Sequence, residues 1–151
     1  MIIFNIKQYP NYINRHFELI RNHKNVMITE KQNSKFYICF DNICVKPNTH
    51  YTICLNSFNN FYHKKLFMEI KGKNNRLLFK KRLNCKTSNY FSFNSFDNCY
   101  INIYFYSLWC APNKFLKLFD FVIYSKDINN CLESNHCSIG NKCFEGNKCK
   151  P

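Results

Sequence analysis

Glycine is nearly missing from this chain: three residues in 151 (Gly72, Gly140, Gly146), beside four prolines and one alanine, Ala111. Loops that cradle phosphates or dinucleotides need several glycines at fixed spacing, so the nucleotide-binding classes built on them are excluded. Acidic residues are also few. The nine are Glu18, Glu30, Asp41, Glu69, Asp97, Asp120, Asp127, Glu133 and Glu145. No Gly-x-Ser-x-Gly or His-Glu-x-x-His motif accompanies them, which leaves no recognisable nucleophile elbow or catalytic zinc site. The sequence therefore reads as a binding or structural module rather than an enzyme.

Long apolar runs are missing as well. No stretch approaches the ~20 apolar residues of a membrane-crossing helix. Met1 to Pro10 is broken by Asn5 and Lys7 and lacks the apolar centre of a secretory signal. The expectation is a chain with no membrane span.

Aromatic residues, by contrast, are plentiful. Sixteen Phe, ten Tyr and an overall 46% of hydrophobic residues are enough to build a real core at this length. Asn (24) and Lys (18, against 4 Arg) dominate the polar set, a bias that A/T-rich codons produce. The net charge of +13 would ordinarily indicate a polyanionic partner. Codon bias supplies lysines without selection for binding, so a solvated basic surface is the preferred reading. The strongest basic cluster is His63-Lys64-Lys65, Lys71, Lys73, Arg76 and Lys80-Lys81-Arg82. It keeps nucleic acid as a second alternative partner, without any recognised nucleic-acid motif.

From Phe36 to about Tyr124 the apolar residues alternate with polar ones. Tyr51, Ile53 and Leu55 oppose Thr52, Cys54 and Asn56; Ile101, Ile103 and Phe105 oppose Tyr100, Asn102 and Tyr104. A period of two with aromatic and β-branched residues means half-buried strands. The pattern predicts strands over Phe17–Ile20, Val26–Thr29, Lys35–Phe40, His50–Asn56, Leu66–Lys71, Arg76–Leu83, Tyr90–Phe93, Cys99–Tyr106 and Phe115–Ser125. Turn-forming clusters such as Lys46-Pro47-Asn48 and Gly72-Lys73-Asn74-Asn75 separate them. Short strands at this spacing predict an all-β antiparallel sandwich over residues 1–126. Periodicity stops there, and residues 127–151 form a cysteine-rich tail.

Three segments together resemble the jelly-roll carbohydrate-binding modules of families 4, 9 and 22, the galactose-binding-like sandwiches. They are Asn14-Arg15-His16-Phe17-Glu18, the stretch Val45-Lys46-Pro47-Asn48-Thr49-His50-Tyr51-Thr52-Ile53, and Phe119-Asp120-Phe121-Val122. The resemblance covers about residues 14–125. Two departures stand out: residues 22–35 hold no Trp, and Phe121 occupies a position where a second Asp is common. The resemblance implies that the first and last strands lie side by side and that Glu18 and Asp120 help hold a structural calcium. Hard oxygen sites need six to eight ligands, so backbone carbonyls or water would complete it. Sugar recognition joins flat aromatic faces to placed polar groups. The candidates are Trp109, the only Trp, and Tyr37, Tyr104 and Tyr106, expected on strand faces opposite the core.

Ten cysteines are many for a reducing compartment. Six lie in the apolar region, where thiols can be ordinary core residues. Cys131, Cys137, Cys143 and Cys149 form the tail, the last three in a six-residue repeat. So short a segment needs cross-links or metal to fold. Disulfides are the first reading, and four cysteines allow three pairings. Zinc is the alternative, with five-residue gaps wider than its usual ligand spacing. The expectation is a non-catalytic carbohydrate-binding or surface-attachment module in an oxidising setting, extracellular or virion-associated, with a glycan as partner. The first alternative is a disulfide-stabilised structural or virion-surface protein that pairs with another structural protein.

Overall fold

The computed structural model describes residues 1–8, 17–22, 25–30, 36–61, 65–108 and 114–125. Ten strands account for most of them: β1 Ile2–Asn5, β2 Phe17–Arg21, β3 Val26–Glu30, β4 Phe36–Cys44, β5 His50–Asn59, β6 Leu66–Lys71, β7 Leu77–Leu83, β8 Lys86–Asn94, β9 Tyr100–Ser107 and β10 Phe115–Ser125. All strand pairs are antiparallel. One sheet runs β2-β3-β10-β5-β8, with β1 added beside β10; the second runs β4-β9-β6-β7. From β3 onward the chain passes repeatedly from one sheet to the other, only β6 and β7 staying together. That alternation is the jelly-roll arrangement, and the all-β sandwich expected from the sequence is the fold observed.

The core follows from the period-two pattern. Along β9, Ile101, Ile103 and Phe105 are buried while Tyr100, Asn102 and Tyr104 are half-exposed, and β10 buries Leu116, Leu118, Phe121 and Ile123. Successive side chains point to opposite faces, so each strand gives one row to the space between the sheets. Phe105 meets Phe121 edge-on across that space with ring centroids 5.4 Å apart. Phe4 lies against Phe121 and Phe40, at 5.0 and 5.5 Å.

Strand β1 was not among the expected strands. Ile2-Ile3-Phe4 is too short and too uniformly apolar to display alternation. It is held by pairing with the last third of β10, opposite Val122, Ile123 and Tyr124, and that partner is invisible from the local sequence. The side-by-side placement of first and last strands is thus met by β1, not by β2. Strand β3 pairs with the start of β10, along Phe115–Leu118, so β1 and β3 share one edge of the same long strand.

With so little glycine, asparagine takes four of the five left-handed backbone positions among the described residues, and Phe96 takes the other. Asn42, Asn48, Asn74 and Asn75 all have φ between 52° and 57°. Asparagine tolerates this region better than other side-chain-bearing residues, because its short amide bonds locally. Asn42 forms the bulge in β4 between Phe40 and Ile43, and its N–H donates to Asn102 Oδ1 at 2.8 Å. The β6–β7 connection turns on Asn74 and Asn75.

Candidate functional site

The outward rows of the four-stranded sheet collect an unusual set of side chains. Register aligns Tyr37 of β4 with Tyr106 of β9, Phe67 of β6 and Arg82 of β7. The next outward row is Cys39, Tyr104, Glu69 and Lys80. Beyond it Lys71 pairs with Asn102. The inward neighbours on these strands, Phe36, Phe40, Ile103, Phe105, Met68 and Ile70, are buried, which fixes the direction in which the two rows point.

Strands spaced ~4.8 Å apart bring aligned rings into contact. Phe67 and Tyr106 stack with centroids at 5.3 Å and planes 16° apart. Tyr37 meets Tyr104 diagonally at 5.6 Å. Cations lie over these rings: Lys80 over Phe67 at 5.0 Å, Arg82 over Phe67 at 5.4 Å and Lys71 over Tyr104 at 5.5 Å. Such pairs are electrostatically favourable because the ring face carries partial negative charge.

Glu69 is the polar centre. Its side chain is only 11% exposed, so its carboxylate needs partners. The Tyr106 hydroxyl donates to Oε1 at 2.6 Å, Lys80 Nζ lies 3.5 Å from the same oxygen and Lys71 Nζ 3.6 Å from Oε2. Burial first, then the bond to Glu69, raises the Tyr106 phenol above its ordinary range. Burial and the neighbouring Cys39 and Tyr37 push Tyr104 up to about 12, and burial also lifts Tyr37. The bond with Tyr106 is the main reason the Lys80 ammonium is held more firmly. Burial drives the Cys39 thiol to about 11. At neutral pH the face therefore offers phenolic O–H donors, ammonium and guanidinium groups and flat rings. Its thiol stays protonated, which makes it a poor nucleophile.

Tyr37, Tyr104 and Tyr106 all stand on this one face, away from the core. Trp109 and the tail cysteines Cys131, Cys137, Cys143 and Cys149 lie outside the described residues. Cys39, Cys54, Cys85 and Cys99 carry free thiols, whereas Cys44 is disulfide-bonded. The partners that sequence reasoning missed are Phe67, Glu69 and Arg82. The period-two pattern does put Phe67 and Glu69 opposite Leu66, Met68 and Ile70, but only the register reveals that they adjoin the tyrosines.

The register places the backbone positions of Glu18 and Asp120 on separate stretches of the six-stranded sheet. Glu18 is opposite Thr29 on β3, and Thr29 is opposite Phe115 on β10. Asp120 is five residues further along β10, beyond the stretch that β3 covers. Two strand spacings and ~3.3 Å per residue put the two backbone positions well over 10 Å apart. Asp120 lies 3.4 Å from Lys7 Nζ. The physical reason is the insertion of β3 between β2 and β10.

The basic cluster is largely engaged locally. Lys71 and Lys80 pair with Glu69, and Lys73 and Arg76 pair with Asp97 at 2.7 and 3.7 Å. Lys81 lies over Phe91, while residues 63 and 64 are outside the described residues. Arg82 has its ring contact with Phe67 and no ion pair among the described residues. On the other sheet a depression of about 300 Å³ opens beside the β10 bulge, between Asn56, Phe58, Lys86, Ser88 and Phe119.

No family model and no curated protein matches this sequence. Solved structures do match its fold. One described as a CBM4 structure is 13% identical, covers 73% of this chain and 78% of its own, with a TM-score of 0.54. A carbohydrate-binding module (CBM6cm-2) from Cellvibrio mixtus lichenase 5A, in complex with cellotriose, is 7% identical over 82% of this chain and 97% of its own, with a TM-score of 0.53.

Proposed function

We propose that the chain is a non-catalytic carbohydrate-binding module that holds a glycan across the outer face of the four-stranded sheet. The observation that carries this reading is the in-register row Tyr37, Tyr106 and Phe67, continued by Arg82. Sugar rings present apolar C–H faces and equatorial hydroxyls, and an aromatic row flanked by fixed donors is complementary to both. Among solved structures of the same fold are carbohydrate-binding modules, which agrees with that chemistry. Hydrolysis of a glycosidic bond ordinarily requires two carboxyl groups flanking it. Glu69 is the only acid on β6 and β7, with none on β9, and it is already occupied by Tyr106, Lys71 and Lys80. The proposed role is attachment outside a cell or on a virion surface, and the disulfide at Cys44 is the feature that agrees with such an oxidising setting.

Affinity electrophoresis against a panel of soluble polysaccharides, followed by calorimetry, tests the reading. At least one glycan is expected to retard the protein. Tyr106→Ala then weakens it at least tenfold, about 1.4 kcal/mol, while Tyr90→Ala, on the six-stranded sheet and 72% exposed, leaves it unchanged. Equal losses from both variants, or no retardation by any glycan, would remove the proposal.

A further inference from the structure

The charges on this face are not evenly spread. Lys71, Lys80 and Arg82 belong to β6 and β7, and the single acid of those strands, Glu69, is spent on Tyr106 and the two lysines. The other acid of the sheet, Asp41, belongs to β4 at the far side. The aromatic row therefore runs from the phenol of Tyr37 towards a cation. Arg82 closes it, lying over Phe67 with no ion pair among the described residues.

From these observations we infer that the face takes an acidic glycan, with Arg82 as the residue that selects the acid group; this rests on the carbohydrate-binding reading above. Sugar rings of the ligand lie against the exposed ring of Tyr37 and the outer edges of the stacked Tyr106 and Phe67 rings, and a carboxylate or sulfate at one end meets the Arg82 guanidinium. Four strands at ~4.8 Å spacing make the row about 14 Å long, enough for an oligosaccharide. A guanidinium is the fitting selector, because its planar fork matches carboxylate and sulfate oxygens with two parallel hydrogen bonds. Stacking on Phe67 already restricts it, so little freedom is lost when the anion binds. Lys71 and Lys80 keep the surrounding potential positive while remaining tied to Glu69.

A protein with net charge +13 attracts polyanions in general, so the test must separate a site from bulk attraction. Binding of the full chain is measured to polygalacturonate, dextran sulfate and neutral dextran, and to single-stranded DNA of matched charge. Arg82→Gln is compared with Arg76→Gln, which removes the same charge from the β6–β7 connection, where Arg76 pairs with Asp97. Equal unfolding midpoints verify that both variants fold. At least one acidic polysaccharide is expected to bind tenfold or more tightly than dextran, and the two acidic probes show whether carboxylate or sulfate is read. Arg82→Gln should abolish that preference and Arg76→Gln should spare it. Equal loss in the two variants would overturn the inference, as would tighter binding of the DNA. Undiminished preference in Arg82→Gln would do the same. Equal affinity for neutral and acidic glycans would end the acidic selectivity and leave the carbohydrate reading standing. Failure of every polysaccharide would end both.

Discussion

Single residues explain how a chain so poor in glycine still turns. Gly72 is needed for space, not for a left-handed backbone: a Cβ there would collide with the Asn98 side chain. Asn98 cannot yield, because it is buried, accepts from the Lys73 N–H at 2.7 Å and donates through Nδ2 to Ser95 O at 2.8 Å. Gly72→Ala should cost about 1–3 kcal/mol through overpacking, read as a lower urea midpoint with unchanged slope. Cysteines divide by environment in the same way. Cys85 and Cys99 are exposed, whereas Cys39 is half-buried with its thiol pushed up to about 11. Since only the thiolate attacks, iodoacetamide at pH 8 should label Cys85 and Cys99 well before Cys39. Labelling of Cys39 should accelerate as pH rises towards 11, followed by peptide mass mapping. Fast labelling of Cys39 at pH 8 would contradict its burial.

Among the elements, β1 and β7 do the least expected work. Strand β1 is four residues long, yet it delivers Ile3 and Phe4 to the core. Phe4→Ala should cost about 3–5 kcal/mol, the range for emptying a buried aromatic site, whereas Ile2→Ala, at a half-exposed position, should stay within about 0.5 kcal/mol. Guanidinium unfolding of the two variants tests whether β1 is integral to the sandwich. Strand β7 is an edge strand, and Lys80, Lys81 and Arg82 give it a charged surface that discourages pairing with another chain. The strand pattern was legible because alternation repeats along each ribbon; Leu66–Lys71 and Phe115–Ser125 have the bounds the sequence predicts. Strand β8 runs longer than its apolar part, over Lys86–Asn94 instead of Tyr90–Phe93. Its first residues are held by the ladder to β5, with only Thr87 among Lys86–Asn89 buried.

For the whole molecule, consequences follow from connectivity. Nearly every ladder except the β6–β7 and β2–β3 hairpins joins strands distant in sequence, as with β1 and β10 or β4 and β9. Loop-closure entropy must be met before such pairings form, so β sandwiches fold slowly for their size. Refolding of the full chain, followed by stopped-flow tyrosine fluorescence under non-reducing conditions, should take milliseconds to seconds. Microsecond folding would be inconsistent with this topology. The same connectivity assembles the candidate site, since Tyr37, Glu69, Arg82 and Tyr106 come from four strands and meet only when the second sheet is complete.

Local sequence determined that the chain forms extended ribbons with one apolar side, because side-chain alternation is a property of a single strand. It also determined that Tyr37, Tyr104 and Tyr106 point away from the core. Which ribbons are neighbours was decided by the tertiary structure: it seated β1 and β3 on the same edge of β10, parted Glu18 from Asp120, and set Phe67, Glu69 and Arg82 beside the tyrosines. The reason is that pairing between strands depends on how both apolar sides close over one shared core, and no segment carries that information alone.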